Sequence, residues 1–314
     1  MKKMTYNKRK FIKKSIIFFI FTLIILIAIP WYALSLLLNQ RYEQPQFDST
    51  HFGIESEQVT LTTYDGLNLV AWRTYTESAT PNGTVIIVSG IQYPSVTMLF
   101  GISQMLSENG WDTLLIEKRA RSLSEGETIG LGMTEWMDIQ AGVDFLDMDV
   151  RAGELPIVAK GVSAGGATVI VAGAKIPRID GVIAISAYTN FIDVYVDNVV
   201  NMGIPRFIGQ ATRPFMWLNL GFRFGFDELN ETPINLIAQL DSHPILLMHS
   251  TEDWQVPFSH FESLKMKAKN SEINLTTFVR AGNWHFVIYD EYIMTPSLDV
   301  AFSATISEFL EAFY

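Results

Sequence analysis

The chain has 314 residues, no cysteine, 48% hydrophobic residues and a formal net charge of −10. This length supplies one large domain or two small ones, with enough chain to bury a substantial core. The lack of cysteine excludes disulfides, thiolate metal sites and cysteine nucleophiles. The absence of a basic face over most of the chain argues against a nucleic-acid partner, and the abundant apolar residues exclude a disordered chain.

The N-terminal segment differs in charge from the rest of the chain. Residues 1–42 contain eight Lys or Arg residues and no acid, so the remainder carries −18. Residues 15–38 then run for 24 positions without a charge. As a helix they reach about 36 Å, enough to cross a hydrocarbon core of about 30 Å. We predict a basic cytoplasmic head over residues 1–14 and an uncleaved transmembrane signal anchor over residues 15–38. This single pass through the lipid bilayer places the following domain outside the cell membrane.

Two alternatives to the anchor remain open. A cleaved signal peptide also begins with a basic segment, although its apolar run is usually about 7–15 residues. The small-x-small site for such a cleavage is Ala33-Leu34-Ser35. The other alternative is a buried core helix. Residues 39–55 are polar and without pattern, and we predict a linker there.

Residues 56–314 alternate short apolar segments with helical patterns. Residues 59–63 and 67–74 flank Asp65-Gly66 and predict a β-hairpin. Further strands are predicted at residues 84–88, 111–117, 156–160, 181–186, 244–249 and 274–279. Helices are predicted at residues 96–109, 135–148, 165–174, 258–268 and 298–313. This alternation predicts the α/β class, with a mostly parallel sheet covered by helices on both faces.

One motif carries chemistry in this alternation. Gly161-Val162-Ser163-Ala164-Gly165 is a G-x-S-x-G pattern between a predicted strand and a helix of small residues. This context is typical of a nucleophile elbow, a strained turn that lifts a serine hydroxyl above the sheet. A serine that merely caps the helix is the alternative. With this motif, residues 57–314 resemble the alpha/beta-hydrolase superfamily, near its serine aminopeptidase-like and prolyl-oligopeptidase-like branch.

The resemblance implies a catalytic triad in the chain order Ser163, acid, histidine. A serine nucleophile needs a base, and the chain has five histidines. Three of them precede any plausible acid: His51, His243 and His249. His260 begins a predicted helix only seven residues beyond the candidate acid. His285 lies between the last strand and the last helix, where the family has its histidine, and is the predicted base.

Asp253 is the predicted acid. It follows the strand at residues 244–249 in Asp253-Trp254-Gln255-Val256-Pro257, which resembles the family's Asp-x-x-Val-Pro pattern. Such an acid orients the imidazole and stabilises its charged form. The adjacent Glu252 remains a rival for this role. The other alternative is that Asp253 is a solvated surface acid without a catalytic role.

The resemblance also implies an oxyanion hole formed by backbone N–H groups. One is the N–H of Ala164, and the other is that of Ile91, in the loop at residues 89–93 after the strand at residues 84–88. Ser89 stands where the family usually has histidine, which changes the support of this loop. Residues 117–126 resemble a second family stretch, in which Ala120 and Ser122 replace glycines and indicate a stiffer or reshaped loop.

Arg119, within that second stretch, is predicted to be structural rather than substrate-binding.

Gly130-Leu131-Gly132 lacks the third glycine of a dinucleotide motif. The sequence thus gives no support for a cofactor or a metal.

Residues 191–241 lie between two predicted strands, where hydrolases of this fold commonly carry a helical lid. This segment is rich in aromatic residues, which either form an acyl pocket or pack the lid onto the core, and both interpretations stay open. The aromatic residues are Phe191, Tyr195, Phe207, Phe215, Trp217, Phe222, Phe224 and Phe226.

We expect a serine hydrolase that cleaves carboxylic esters. A peptidase acting on short peptides is the first alternative, with Glu228, Glu231 or Asp197 as candidate anchors for a charged terminus. A non-catalytic binding protein on a hydrolase scaffold is the second alternative.

Overall fold

The computed structural model describes residues 2–39, 46–91, 95–240, 243–271 and 273–314. The chain begins with a long helix, α1 (Lys2–Asn39). Within the described residues, its segment Lys8–Asn39 is the one stretch of helix whose length and apolar composition suit a membrane span. Most of this segment lies outside the body of the protein, since only 6% of its most apolar window is buried.

The body is built around one eight-stranded sheet in the order β1-β2-β4-β3-β5-β6-β7-β8. Its strands are β1 (Ser56–Thr62), β2 (Asn68–Thr74), β3 (Gly83–Val88), β4 (Trp111–Ile116), β5 (Ile157–Val162), β6 (Gly181–Ile185), β7 (Ile245–Ser250) and β8 (Leu275–Arg280). Strand β2 is antiparallel to β1 and β4, and all other neighbours are parallel. Strands β3 to β7 are buried along their whole length, as their continuous apolar runs predict. The predicted, mostly parallel sheet is confirmed.

Helices cover both faces of this sheet. They are α2 (Phe100–Glu108), α3 (Trp136–Met148), α4 (Ala164–Lys175), α5 (Phe191–Asn201), α6 (Arg206–Phe224), α7 (Pro233–Leu236), α8 (Phe258–Lys269) and α9 (Val300–Phe313). One apolar cluster joins the sheet to α3, α4 and α8, with Ile139, Ile170 and Leu264 among its members. A second cluster on the opposite face joins the sheet to α2 and α9 through Met105 and Phe309.

The register of the parallel strands brings their carboxyl ends to one edge of the sheet. Val162 of β5 pairs with Ile185 of β6, Ile185 pairs with Met248 of β7, and Ser250 of β7 pairs with Arg280 of β8. The loops that follow β5, β7 and β8 therefore begin side by side. In open α/β sheets this edge is where ligands bind.

The segment between β6 and β7 covers this edge. It forms α5, α6, α7 and two short 3₁₀ turns, while Asp241, the last residue of the predicted lid, lies outside the described residues. Its helices share an apolar cluster with the end of α1, which includes Leu34, Leu38, Val194 and Leu220. The predicted anchor and the predicted lid are thus in contact.

The predicted linker is described only from residue 46 onward, and residues 40–45 lie outside the described residues. Ser49–Phe52 forms a 3₁₀ turn, and the Asp48 side chain accepts a hydrogen bond from its Thr50 N–H group. Phe52 and Ile54 are buried in the apolar cluster under α2. The described part of this segment therefore packs on the body, because two of its apolar side chains fit the sheet's second face.

Candidate active site

Ser163 lies in a sharp turn between β5 and α4. Its backbone has φ 58° and ψ −121°, in the left-handed half of conformational space that side chains other than glycine rarely adopt. The Ser163 N–H donates to the carbonyl of Ile185 at 2.8 Å, which ties the turn to β6. A non-glycine residue held in such a conformation costs of order 1–3 kcal/mol and marks a site where the surrounding structure imposes the geometry.

The two glycines of the motif make this turn sterically feasible. A Cβ on Gly161 would lie 2.2 Å from the carbonyl oxygen of Gly165, and a Cβ on Gly165 would lie 2.5 Å from that of Ser89. Neither position has room for a side chain. The close approach at Gly165 also brings the start of α4 against the loop that follows β3.

Asp253 and His285 form a hydrogen-bonded pair at the same edge. The Nδ1 of His285 lies 2.8 Å from Asp253 Oδ2, and Asp253 Oδ1 accepts hydrogen bonds from the N–H groups of Gln255 and Val256 at 2.9 and 3.0 Å. An ionised carboxylate only accepts, so Nδ1 carries a proton, and in a neutral imidazole of this tautomer Nε2 has the lone pair. The rival acid Glu252 is exposed, and its backbone N–H donates to Gly282.

The surroundings of Asp253 favour its ionised form. Burial opposes ionisation, but the hydrogen bond from His285 and the bond from the Val256 N–H outweigh it and lower the pKa of Asp253 below its ordinary value. An acid that stays charged beside an imidazole stabilises the imidazolium that forms when the histidine takes up a proton.

Ser163 and His285 line one cavity of about 550 Å³. Its wall comes from α1, α5 and the loops at the carboxyl ends of the strands. The remaining lining residues are Leu37, Gly90, Ile91, Tyr188, Phe191, Val194, Tyr195, Asn198, Met202, Gln255, Val256 and Phe286. The structure thus brings the predicted nucleophile, the predicted base and the predicted oxyanion loop to the same space.

Both predicted oxyanion donors lie at this cavity or beside it. Ala164 is the first residue of α4, where backbone N–H groups have no partner within the helix. Ile91 lines the cavity together with Gly90. The rest of the predicted loop, residues 92 and 93, lies outside the described residues.

Two buried cations hold the Ile91 backbone, and the sequence alone did not reveal them. The Nζ of Lys118 donates to the carbonyl of Gly90 at 2.8 Å, and the Nε of Arg121 donates to the carbonyl of Ile91 at 2.7 Å. In a trans peptide the C=O and the N–H point in opposite directions. By fixing the Gly90 carbonyl, Lys118 therefore aims the N–H of Ile91 away from itself. The one available signal was the family-like stretch that contains both cations.

The remainder of that stretch agrees with the structural role predicted for Arg119. Its Nε lies 2.7 Å from Asp138 Oδ1, and its Nη1 lies 2.7 Å from Asp65 Oδ2. Ala120 and Ser122, which replace glycines in the family pattern, both have positive φ, at 56° and 42°. The backbone keeps a glycine-like shape although the side chains have changed.

The aromatic residues of the lid divide into three groups. Phe191 and Tyr195 line the cavity, and Phe224 packs near the end of α1. Phe207 and Phe222 are exposed. Both predicted uses of these rings, walling a pocket and packing the lid, occur at different positions, and a third group faces outward.

Two further candidate groups make their contacts away from the cavity of Ser163. The N–H groups of Gly130 and Gly132 donate to the carboxylate of Glu135 at 3.0 and 2.7 Å, so that loop binds its own acid. His260 contacts Thr189 and Asp197 in a separate cleft under α5. Within the described ranges, no group of three or more His, Asp or Glu side chains is arranged to hold a metal ion.

Comparisons with known proteins agree on the fold. No family model matches the chain, and no curated protein matches its sequence. An esterase of Pyrococcus furiosus superposes with a TM-score of 0.67 at 19% identity, covering 87% of this chain and 98% of that one. The acylaminoacyl peptidase of Pyrococcus horikoshii gives 0.64 at 16%, covering 86% of this chain and 44% of that one. An alpha/beta hydrolase of a Penicillium species gives 0.61 at 15%, with 82% and 99% covered. The chain has the alpha/beta-hydrolase fold that its sequence predicts.

Proposed function

We propose that the chain is a membrane-anchored serine hydrolase that cleaves carboxylic esters through an acyl-enzyme. The observation that carries this proposal is the juxtaposition of a strained elbow serine, Ser163, with His285 at one cavity, where His285 is hydrogen-bonded to the buried Asp253. Nucleophilic catalysis by serine requires such a base, oriented by a third group.

The proposed reaction has two steps. The Ser163 hydroxyl attacks the ester carbonyl while His285 Nε2 accepts its proton, and the N–H groups of Ile91 and Ala164 stabilise the oxyanion. The bond to the alcohol then breaks, and His285 returns the proton to the leaving alkoxide. Water attacks the acyl-serine by the same route, which releases a carboxylic acid and restores Ser163.

The lining of the cavity supports an ester rather than a peptide with a charged terminus. Among its described lining residues there is no Asp, Glu, Lys or Arg. The three acids considered as peptide anchors lie elsewhere. Glu228 and Glu231 are close to Lys175, and Asp197 is 2.8 Å from Arg206 in the cleft under α5. An alkoxide also leaves the tetrahedral intermediate more readily than an unprotonated amide nitrogen does, so the ester needs less assistance from His285.

A fluorophosphonate probe tests this proposal most directly, because it reacts with activated serine hydroxyls. We expect the full-length protein in detergent to be labelled at Ser163 and the Ser163→Ala variant to stay unlabelled. The non-catalytic alternative requires that both proteins stay unlabelled, and labelling of Ser163→Ala at the wild-type rate would refute the assigned nucleophile.

A kinetic screen then separates esters from peptides. p-Nitrophenyl acyl esters and aminoacyl-nitroanilides are compared with the same enzyme preparation. We expect every short- to medium-chain ester to have a higher kcat/KM than any of the aminoacyl-nitroanilides. A nitroanilide that exceeds all esters would establish the peptidase alternative.

A further inference from the structure

The last turns of α1 belong to the body of the protein. Pro30, Leu34 and Leu38 recur every four residues, and all three are buried. Residues four apart lie on one face of a helix, so this face is packed. It contacts α6, which contributes Met216 and Leu220 to the same apolar cluster.

Arg223 of α6 fixes this contact at a definite level along α1. Its Nη2 donates to Ser35 Oγ, and its guanidinium lies over the ring of Trp31 at 5.0 Å from the centroid. The C-terminal end of α6 is therefore held beside the stretch of α1 where the helix leaves the body.

Next to Arg223, α6 and the turn after it expose an apolar patch. We call Trp217, Leu218, Phe222 and Phe226 the α6 patch. The Phe226 ring lies 4.9 Å from the Trp217 ring and 5.5 Å from the Phe222 ring, between centroids. All four side chains are exposed, and Phe222 is 72% exposed. Contiguous exposed apolar residues of this kind usually mark a surface that contacts another apolar phase.

The length of α1 indicates what that phase is. The uncharged run is residues 15–38, but from residue 30 onward one face of the helix is packed on the body. Residues 15–29 alone reach about 22 Å, which is short of a hydrocarbon core of about 30 Å. A helix that enters the hydrocarbon core at residue 15 reaches the other side of a core of that thickness only at about residue 34. The α6 patch, fixed at the level of residues 31–35, then lies at the membrane boundary.

The same end of α1 also forms part of the cavity. Leu37 lines it together with Ser163, His285 and Met202, the residue that follows α5. The cavity that holds Ser163 therefore extends to the contact of α1 with the lid.

We propose that the α6 patch is embedded in the outer interface of the bilayer that α1 spans, and that acyl esters dissolved in this leaflet enter the cavity beside Leu37. This inference rests on the proposed function and names its substrate class, long-chain acyl esters of the membrane. The α6 patch and the acyl chain of the substrate then lie in the same apolar phase, the bilayer. The acyl group therefore reaches Ser163 without crossing water.

The absence of cysteine permits a direct test of the membrane contact. The full-length Phe222→Cys variant is labelled with an environment-sensitive fluorophore and reconstituted into phosphatidylcholine–phosphatidylglycerol vesicles with or without doxyl-labelled lipid. Val150→Cys is the matched control, since Val150 is an apolar residue that is 99% exposed. It follows α3 and precedes β5, at the opposite edge of the sheet. We expect doxyl lipid to quench the label at residue 222 and not the label at residue 150.

Two results would overturn the inference. The first is a label at residue 222 that behaves as the label at residue 150 does. The second is a blue-shifted emission at residue 222 without quenching by doxyl lipid, which would mean that protein, such as a second copy of this chain, covers the patch. Labelling of Ser163 by fluorophosphonate without quenching at residue 222 refutes only this inference. Quenching without fluorophosphonate labelling refutes the proposed function instead.

Activity tests the entry path. The doubly substituted Phe222→Ser/Phe226→Ser protein and the Val150→Ser control are compared on a long-chain fluorogenic ester in vesicles and on water-soluble p-nitrophenyl butyrate. We expect the ratio of the vesicle rate to the soluble rate to fall about tenfold in the double variant. In the control it should stay within about twofold. An unchanged ratio in the double variant would overturn entry from the bilayer.

Discussion

Ser163, Asp253 and His285 are expected to act as one unit under the proposed mechanism. Ser163→Ala and His285→Ala should each lower kcat by about 10⁶, and combining them should cost no more. Asp253→Asn should retain more activity, with a loss of about 10⁴, because the imidazole is still held but in the wrong tautomer. The measurement is kcat on p-nitrophenyl butyrate, with melting curves to verify folding.

Glu252→Gln is the matched control for the acid. Glu252 is adjacent to Asp253 but exposed, so its substitution should leave kcat within about twofold. A large loss of kcat in Glu252→Gln together with a small loss in Asp253→Asn would assign the role of the triad acid to Glu252.

Glu117, which is buried and accepts a hydrogen bond from Ser95 Oγ, should make stability depend on pH. Burial raises the pKa of this carboxyl from 4.5 to about 7. A native pKa above the unfolded one means that the native state holds the proton more tightly. The resulting stabilisation is complete below the unfolded pKa and is lost as the pH rises through about 7. Glu117→Gln stays neutral, so its stability relative to wild type should improve by up to about 3 kcal/mol between pH 5 and pH 8.

Urea unfolding at the two pH values measures this difference. The control is Glu125→Gln, at an exposed carboxylate in the same stretch of chain. An equal stability difference between Glu117→Gln and wild type at both pH values would contradict the prediction.

Among the site residues, the sequence identifies those that follow a strand in a recognisable pattern. Ser163, Asp253 and His285 are of this kind, because each lies in the loop after a short apolar run. Lys118 and Arg121 are different. Their contacts join them to carbonyls about thirty residues earlier in the chain, and a cationic side chain gives no sign of which carbonyl it meets.

Among the elements, the loop after β3 is held by buried side chains from another part of the chain. Lys118→Met removes the donor to the Gly90 carbonyl and frees the peptide that carries the Ile91 N–H. We expect kcat to fall about 100-fold, as for the loss of one oxyanion donor. KM should change little, since the donor acts on the transition state more than on the bound ester.

Lys160→Met is the control for removing a buried ammonium. Lys160 lies in β5 and is 3% exposed. This variant should change the melting temperature without the same loss of kcat. A rise in KM alone in Lys118→Met, or an equal loss of kcat in Lys160→Met, would show that Lys118 does not position the loop.

The order of strands and helices was predictable because buried strands are continuous apolar runs and the helices between them repeat at helical spacing. The docking of α1 on α6 was not. The apolar residues of α1 look alike in sequence, and nothing in their spacing distinguishes the exposed ones from Leu34 and Leu38, which pack on the body. That distinction requires the position of α6, which lies about 180 residues later in the chain.

For the whole molecule, the charge distribution and the position of α1 bear on orientation and cleavage. The basic head precedes the apolar run, and the acidic body follows it. The small-x-small site Ala33-Leu34-Ser35 lies inside the packed end of α1, where Leu34 is 2% exposed. A signal peptidase needs an extended and accessible site, so we expect docking of this segment on the lid to protect it.

We therefore predict a single-pass protein that keeps its anchor, with the basic head inside the cell and the hydrolase domain outside. Basic residues that flank a span stay in the cytoplasm, so we expect the large acidic body to be translocated. Protease added to intact cells should digest a C-terminal tag and leave an N-terminal tag protected in the membrane fraction. A cytoplasmic protein with the same tags serves as the control for cell integrity. A hydrolase domain released into the medium with a new N-terminus near residue 36 would contradict this orientation with an intact anchor. It would also separate the active-site cavity from the part of α1 that precedes Leu37.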